Sequence, residues 1–199
     1  MWQVNMPEKR KLILASASPR RKKILELTGL KFSIDAGDYE EDMSLRLKPH
    51  QLAKFLSSEK AKTIAAKYTN ALVIAADTFI VFKDHLMGKP NTREEARRML
   101  TLLSGKAHSV ITGFTIIDTN TKKKLSRSVE TKVYFRKMTV QEIEAYIKTG
   151  EPLDKAGAYA IQGIGAIIVK KIEGDYFNVM GLPLSSLTEA LKKFGVSVL

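Results

Sequence analysis

Cysteine is absent from the 199-residue chain. That excludes structural disulfides, thiolate catalysis and cysteine-ligated metals, and it fits a cytoplasmic location. No run approaches the roughly 20 apolar residues that span a bilayer, so no membrane partner is expected. The start, MWQVNMPEKRK, carries charge but no apolar stretch followed by a small-residue cleavage site, and reads as no secretory signal. No Gly/Ser-rich or Pro-rich stretch forms a linker, and there is no internal repeat. The P-loop pattern is missing, because MGKP has Pro90 where a magnesium-binding hydroxyl would stand. There is no GxSxG or HExxH either. His50, His85 and His108 stand apart in sequence and read as surface or hairpin residues rather than metal ligands.

What is present is ordinary for a soluble globular chain: 44% hydrophobic and 27% charged residues. The length allows a proper core, organised as a single domain over residues 1–199 or as two closely joined lobes. Residues 1–10 read as an N-terminal extension with no assigned role. The net charge of +12 has two readings. A generally basic surface would favour nucleic acid through counterion release. Alternatively, part of the excess lines a site for a small polyphosphate. The cations are spread along the chain, with a local KKK at Lys122 to Lys124 that reads as a hairpin tip.

Local signals predict an α/β mixture with a mixed twisted sheet and flanking helices. Lys11 to Ser16 is a short buried strand, Ser18 an N-cap with Pro19 at the first helical position, and Gly29 the stop. A second strand is read at Phe32 to Asp35, followed by the acidic loop GDYEED. Pro49 opens a helix to about Tyr68. Ala71 to Asp77, ALVIAAD, has the continuous apolar pattern of a strand buried on both faces. Phe79 to Leu86 reads as a hairpin turning near Lys83 and Asp84. Thr92 with Glu95, and Thr139 with Glu142, have capping-box spacing and open two further helices. The stretches His108 to Asp118 and Leu125 to Phe135 flank the TNTKKK turn. Short strands are read around Gly165 to Ile172 and at Tyr176 to Val179, with a last helix after Pro183.

Three features point to chemistry. In SASPRR, a serine-rich loop enters a helix whose first turn holds Arg20 and Arg21, where the helix dipole disfavours cations. An incoming phosphate would resolve that conflict through bidentate arginine contacts; otherwise both side chains simply reach into solvent. Asp77 ends a buried strand, where open α/β sheets place their ligands. It would hold a divalent metal, orient a water, or merely cap a turn. The run Asp38, Glu40, Glu41 and Asp42 is either a second source of metal ligands or a solvated loop. In DKAGAYAIQG, Asp154 to Gly163, small residues suggest a loop wrapped closely on something, with Lys155 and Gln162 as reaching groups. Lys89 in GKP and Lys60 on the second helix are further candidates for phosphate contacts, although a helical lysine is normally solvated.

The ordered blocks LILASASPRRKKIL, SSEKA, AADTFIVF, GKP, LSGKAHSVITGF, EPLDKAGAYAIQG and GDYFNVMGLPL resemble the Maf family of nucleoside triphosphate pyrophosphatases, also called septum formation inhibitor proteins. The resemblance covers the chain from about Lys11 to the last helix. It implies a Maf/ITPase-like α/β fold with two lobes around a central cleft, a homodimer, and Mg²⁺ or a similar divalent cation such as Mn²⁺ or Co²⁺. It implies cleavage of a nucleoside triphosphate to the monophosphate and pyrophosphate. By motif, the catalytic residues would be Asp77, Glu41 and Lys89, with Glu41 and Asp77 as metal ligands; Glu40 aligns as well as Glu41. Ser16, Ser18, Arg20, Arg21, Lys60 and Gln162 would bind substrate, and Thr78 and the loop's reaching group Lys155 are counted with them.

ADT and IQG, here Asp77-Thr78 and Gln162-Gly163, look like the branch acting on dTTP and UTP. The branch acting on 7-methyl-GTP typically has SDQ and a glutamate before the later glycine. An amide can donate and accept at once on a pyrimidine edge, whereas a glutamate suits the cationic 7-methylguanine. Two alternatives stand beside this reading. One is a 7-methyl-GTP pyrophosphatase. The other is a basic nucleic-acid-binding or cell-division regulatory protein, against which stands the lack of aromatics clustered with cations and of a helix-turn-helix signature.

Overall fold

The computed structural model describes residues 10–37 and 45–199. They form seven strands and six α-helices in two compact units. One unit takes in residues up to Asp77 together with Thr112–Val129 and Gly181–Leu199; the other comprises Thr78–Ile111 and Glu130–Met180. Three strands of 12 residues each contribute to both: β3 (Ala71–Phe82), β5 (Ala107–Asp118) and β6 (Lys124–Phe135).

In the first unit β1 (Lys11–Leu14) lies between β2 (Ser33–Ile34) and β3, parallel to both, in the order β2-β1-β3-β5-β6. The chain turns from β1 to one neighbour through α1 (Pro19–Glu26) and reaches the other through α2 (Pro49–Ala65). Ile13, Ala15, Ala71, Val73, Ala75 and Ile117 form one face of the sheet and pack on Ala61 and Ile64 of α2. The alternate residues Leu12, Leu14, Leu72 and Ile74 are also fully buried. ALVIAAD is therefore covered on both faces, as its unbroken apolar pattern predicts. Arg10, from the segment left without a role, donates to the Asp118 carboxylate at 2.6 Å and to the Phe194 carbonyl at 2.9 Å. Around the KKK turn, Lys123 donates to the Lys193 carbonyl and Lys124 to the Ser58 hydroxyl, so the tip is tied down.

In the second unit β3 and β4 (His85–Met87) form the expected hairpin, with Lys83 and Asp84 both at positive φ, 46° and 64°. The other edge is β7 (Val169–Glu173), antiparallel to β6. Helices α3 (Arg93–Leu103) and α4 (Val140–Lys148) bury Ala96, Leu100 and Leu103, and Ile143, Tyr146 and Ile147, in one core with Ile80, Val133 and Phe135. The Thr139–Glu142 capping box is complete. At α3, Thr92 caps as read, but the Glu95 carboxylate accepts from the Asn91 N–H at 2.6 Å instead of closing the box.

Several local expectations are corrected. The strand read around Gly165 to Ile172 begins only at Val169, because Gly163–Ile167 coils as a 3₁₀ segment. Tyr176–Val179 is a short helix, α5, because Asp175 accepts from the N–H groups of Phe177 and Asn178. His108 lies on a hairpin strand, β5, but is not a surface residue. It is 4% exposed, packed edge-on against Phe135 and Tyr159, with Nε2 2.9 Å from the Tyr159 hydroxyl. The last helix, α6 (Leu184–Lys192), follows Pro183 as predicted. No helix among the described residues is long and apolar enough to cross a membrane.

Candidate active site

The strand order reverses at β1, which has β2 on one side and β3 on the other. At such a switch point, crevices open beyond the carboxyl ends of parallel strands. The Ser16–Arg21 junction follows the carboxyl end of β1, but the expectation that Asp77 ends its strand is corrected: β3 runs on to Phe82, and Asp77 lies within it, three residues past Ile74, where the parallel pairing with β1 stops. The Ala15 N–H donates to the Ile74 carbonyl at 2.7 Å, so the loop leaves β1 beside the stretch of β3 that runs on to Asp77.

Ser18 is the N-cap of α1, accepting from the Arg21 N–H at 3.4 Å, and its own N–H donates to the Ser16 hydroxyl oxygen at 3.3 Å. Pro19 occupies the first turn, which contains no acidic residue. Arg21 does not simply reach into solvent. Its Nη1 donates to the Ser16 hydroxyl oxygen at 3.2 Å, and its Nε donates to the Gly181 carbonyl at 2.8 Å. The guanidinium is thus held near the N-terminus of α1, the end of a helix that favours anions. Arg20 is half-buried on the same turn.

Asp77 is 3% exposed. Strand alternation puts it on the same face as Val73 and Ala75, the face packed on α2. There Lys60, one residue before the core Ala61, pairs with it: Nζ donates to Oδ1. Lys60 is therefore not a solvated helical lysine; its side chain is 15% exposed. A carboxylate of this kind suits a hard divalent cation, which takes oxygen ligands from one or two carboxylates and leaves the rest to water and phosphate. Among the described residues no group of three or more histidines or acids could hold a metal alone. The acidic residues Asp38, Glu40, Glu41 and Asp42 lie outside the described residues.

The remaining expected residues belong to the second unit. Thr78 follows Asp77 in β3 and is half-buried; Lys89, just after β4, is exposed. Lys155 pairs with Asp154 and donates to the Glu151 carbonyl at 3.2 Å. Gln162 is exposed, between the short 3₁₀ segments Ala156–Ala158 and Gly163–Ile167. The structure thus bonds Ser16, Ser18 and Arg21 to one another and Lys60 to Asp77. Sequence reasoning missed the Gly181 carbonyl, because a backbone acceptor leaves no residue-type signal. It also missed Glu151 and Tyr146, which bind the loop carrying Gln162.

A family model described as Maf-like protein matches residues 11–194. The dTTP/UTP pyrophosphatase of Methanosarcina barkeri is 50% identical over 190 residues, covering 95% of this chain and 96% of that protein. The protein of the same name from a Geobacillus species is 50% identical over 187 residues, covering 94% and 99%. A third, from Moorella thermoacetica, is 47% identical over 188 residues, covering 94% and 97%. Among solved structures, the nucleoside-triphosphatase / dITP/XTP pyrophosphatase of Mycobacterium abscessus aligns over 92% of this chain and 97% of its own, with a TM-score of 0.41 and 10% identity. That likeness is too loose to bear on chemistry. The family model, by contrast, runs from β1 through α6 and takes in the Ser16–Arg21 junction, Lys60 and Asp77, and on that match the chain belongs to the Maf family.

Proposed function

We propose that the protein hydrolyses pyrimidine nucleoside triphosphates, dTTP and UTP, to the monophosphate and pyrophosphate. Water attacks the α-phosphorus, the bond from that phosphorus to the bridging oxygen breaks, and pyrophosphate leaves. The observation that carries the reading is a buried carboxylate and a fixed arginine just past the parallel pairing of β1 and β3, Asp77 with Lys60 and Arg21 with Ser16. The names of relatives half identical to this chain support the choice of substrate.

A triphosphate brings several negative charges, and positioned cations stabilise the charge that develops on the leaving group. Arg21 is held in place by Ser16 and Gly181 before substrate arrives, so binding needs little reordering of that side chain. Lys60 keeps Asp77 paired inside the fold, and its ammonium, with three donors, can turn toward phosphate oxygens. Asp77 and Glu41 are the carboxylates that would hold Mg²⁺, or Mn²⁺ or Co²⁺ in its place, which when bound neutralises phosphate oxygens. The water proton passes to one of these two carboxylates. For Ser18, Arg20 and Lys89 as phosphate ligands, and for Thr78 and Gln162 as the residues that choose the base, family resemblance supports the assignment; Lys155 is assigned to substrate as a reaching group of the small-residue loop. A homodimer and a cytoplasmic location are proposed on the same ground.

The test is release of monophosphate and pyrophosphate, separated by chromatography, from ATP, GTP, CTP, UTP, dTTP and 7-methyl-GTP with Mg²⁺. Preference for dTTP and UTP is expected. Activity confined to 7-methyl-GTP would overturn the reading of Thr78 and Gln162. Absence of turnover with every nucleotide, under Mn²⁺ as well, would favour a binding role.

A further inference from the structure

The loop that carries Gln162 is pinned on both sides of that residue by two side chains from the α4 end of the second unit. Tyr146, on the buried face of α4, is 4% exposed. Its hydroxyl donates to the Glu151 carboxylate at 2.8 Å and accepts from the Ala160 N–H at 3.1 Å. Glu151 follows Gly150, the left-handed residue just beyond the helix. One of its oxygens accepts from the Gly165 N–H at 2.8 Å and the other from the Ile164 N–H at 3.0 Å. Three backbone amides, two residues before Gln162 and two and three after it, therefore end on one phenol and one carboxylate.

The glycines around Gln162 are what admit these partners. A Cβ at Gly163 would stand 2.4 Å from the Glu151 carboxylate, and its φ of +68° is one that L side chains rarely adopt. A Cβ at Gly165 would stand 2.4 Å from the Tyr146 hydroxyl and from the Ala160 carbonyl. Thus the small residues of AYAIQGIG wrap the loop onto its own unit's Glu151 and Tyr146. Burial pushes the Glu151 carboxyl up, but hydrogen bonds from Gly165, Tyr146 and Ile164, with the Lys155 charge, outweigh it and hold the group below the usual carboxylate range. It is an ionised acceptor, the stronger kind.

We infer that Glu151 and Tyr146 are positioning residues for base selection, acting through Gln162. This rests on the proposal that Gln162 reads the pyrimidine edge. Uracil and thymine present an acceptor at O4 and a donor at N3, whereas cytosine presents a donor at N4 and an acceptor at N3. One amide can satisfy either pair, depending on which way it faces. A loop pinned on both sides of Gln162 presents the amide in one direction and rejects cytosine. A loosened loop admits both.

The experiment compares kcat/KM for dTTP and for CTP in the wild type, Glu151→Gln, Gln162→Ala and the double variant. In Glu151→Gln the amide group that replaces one oxygen cannot accept from a backbone N–H. The dTTP to CTP ratio is expected to fall about tenfold in each single variant, and in Glu151→Gln kcat for dTTP is expected to stay within about threefold. The double variant is expected to match Gln162→Ala within about twofold, because both changes act through one contact. Hydrogen exchange at the Ile164 and Gly165 amides is expected to speed up in Glu151→Gln. If Glu151→Gln does not fold, Tyr146→Phe removes only the hydroxyl and is subject to the same comparison.

A changed ratio in Gln162→Ala but not in Glu151→Gln, or losses that simply add in the double variant, would overturn the clamp and leave the base-reading role standing. An unchanged ratio in Gln162→Ala would remove that role and the clamp's function with it. Failure of the hydrolytic reading itself shows earlier, in the wild type.

Discussion

Lys60 of α2 and Asp77 of β3 form an ion pair in which the lysine side chain is 15% exposed and the aspartate side chain 4%. Removing one member of a buried pair leaves the other to bear its own desolvation, typically about 3–5 kcal/mol. Lys60→Met withdraws the ammonium while keeping most of the volume. It is expected to destabilise the protein by about 3 kcal/mol and to reduce turnover by about a hundredfold. Thermal unfolding with and without Mg²⁺ measures the first effect. Because the cation would offset the charge left on Asp77, Mg²⁺ is expected to raise the melting temperature of the variant more than that of the wild type.

Arg21 uses Nε and Nη1 on two different acceptors, the Gly181 carbonyl and the Ser16 hydroxyl. A lysine cannot span both, since it offers one nitrogen in place of a planar fork. Arg21→Lys is therefore expected to raise KM for dTTP by about tenfold or more, while unfolding shifts by about 1 kcal/mol. Steady-state kinetics beside a denaturant titration separates the two. A variant that binds dTTP as the wild type does would remove Arg21 from the phosphate site.

Ser18 caps α1 through its hydroxyl. Ser18→Ala forfeits that bond to the Arg21 N–H and is expected to cost about 1 kcal/mol. Ser18→Asp restores an acceptor, and its charge complements the helix dipole, so it is expected to recover that stability. The same charge would repel a triphosphate. The aspartate variant should therefore be the more stable and the less active of the two, which unfolding and kinetics measured together will show.

Much of this arrangement was legible in the sequence because its signals are local. Ser18 before Pro19, the apolar run ending at Asp77, the turn at Lys83 and Asp84, and the Thr139–Glu142 box are each decided within a few residues. The rest depends on partners brought together by the fold. Nothing around Lys60 distinguishes it from a solvated helical lysine, since its partner is 17 residues away on another element. Arg21 finds the Gly181 carbonyl 160 residues away. Tyr176–Val179 has a strand-like composition, and only the turn made by Asp175 coils it. His108 looked like an exposed strand-end residue because its burial depends on Phe135 and on Tyr159, 51 residues later.

That burial has a consequence for pH. It depresses the His108 imidazole from 6.5 to about 4, so the folded protein keeps the ring neutral beside Tyr159. Between those two values the unfolded chain binds a proton that the folded chain refuses. The contribution is fully present above pH 6.5 and is lost as the pH falls toward about 4, on the order of 3 kcal/mol in all. His108→Gln removes the titrating group. Denaturant unfolding at several pH values should give a flatter dependence across this window in the variant, and equal slopes in the two proteins would show that His108 does not carry it.

The most direct measurement is hydrolysis of dTTP in ¹⁸O-labelled water by the wild type and by Asp77→Asn, with mass spectrometry of both products. Attack at the α-phosphorus with Asp77 essential predicts label in dTMP and none in pyrophosphate. It also predicts a loss of turnover of about a thousandfold or more in the variant at unchanged fold. Label in pyrophosphate, or near-normal turnover by Asp77→Asn, would contradict it.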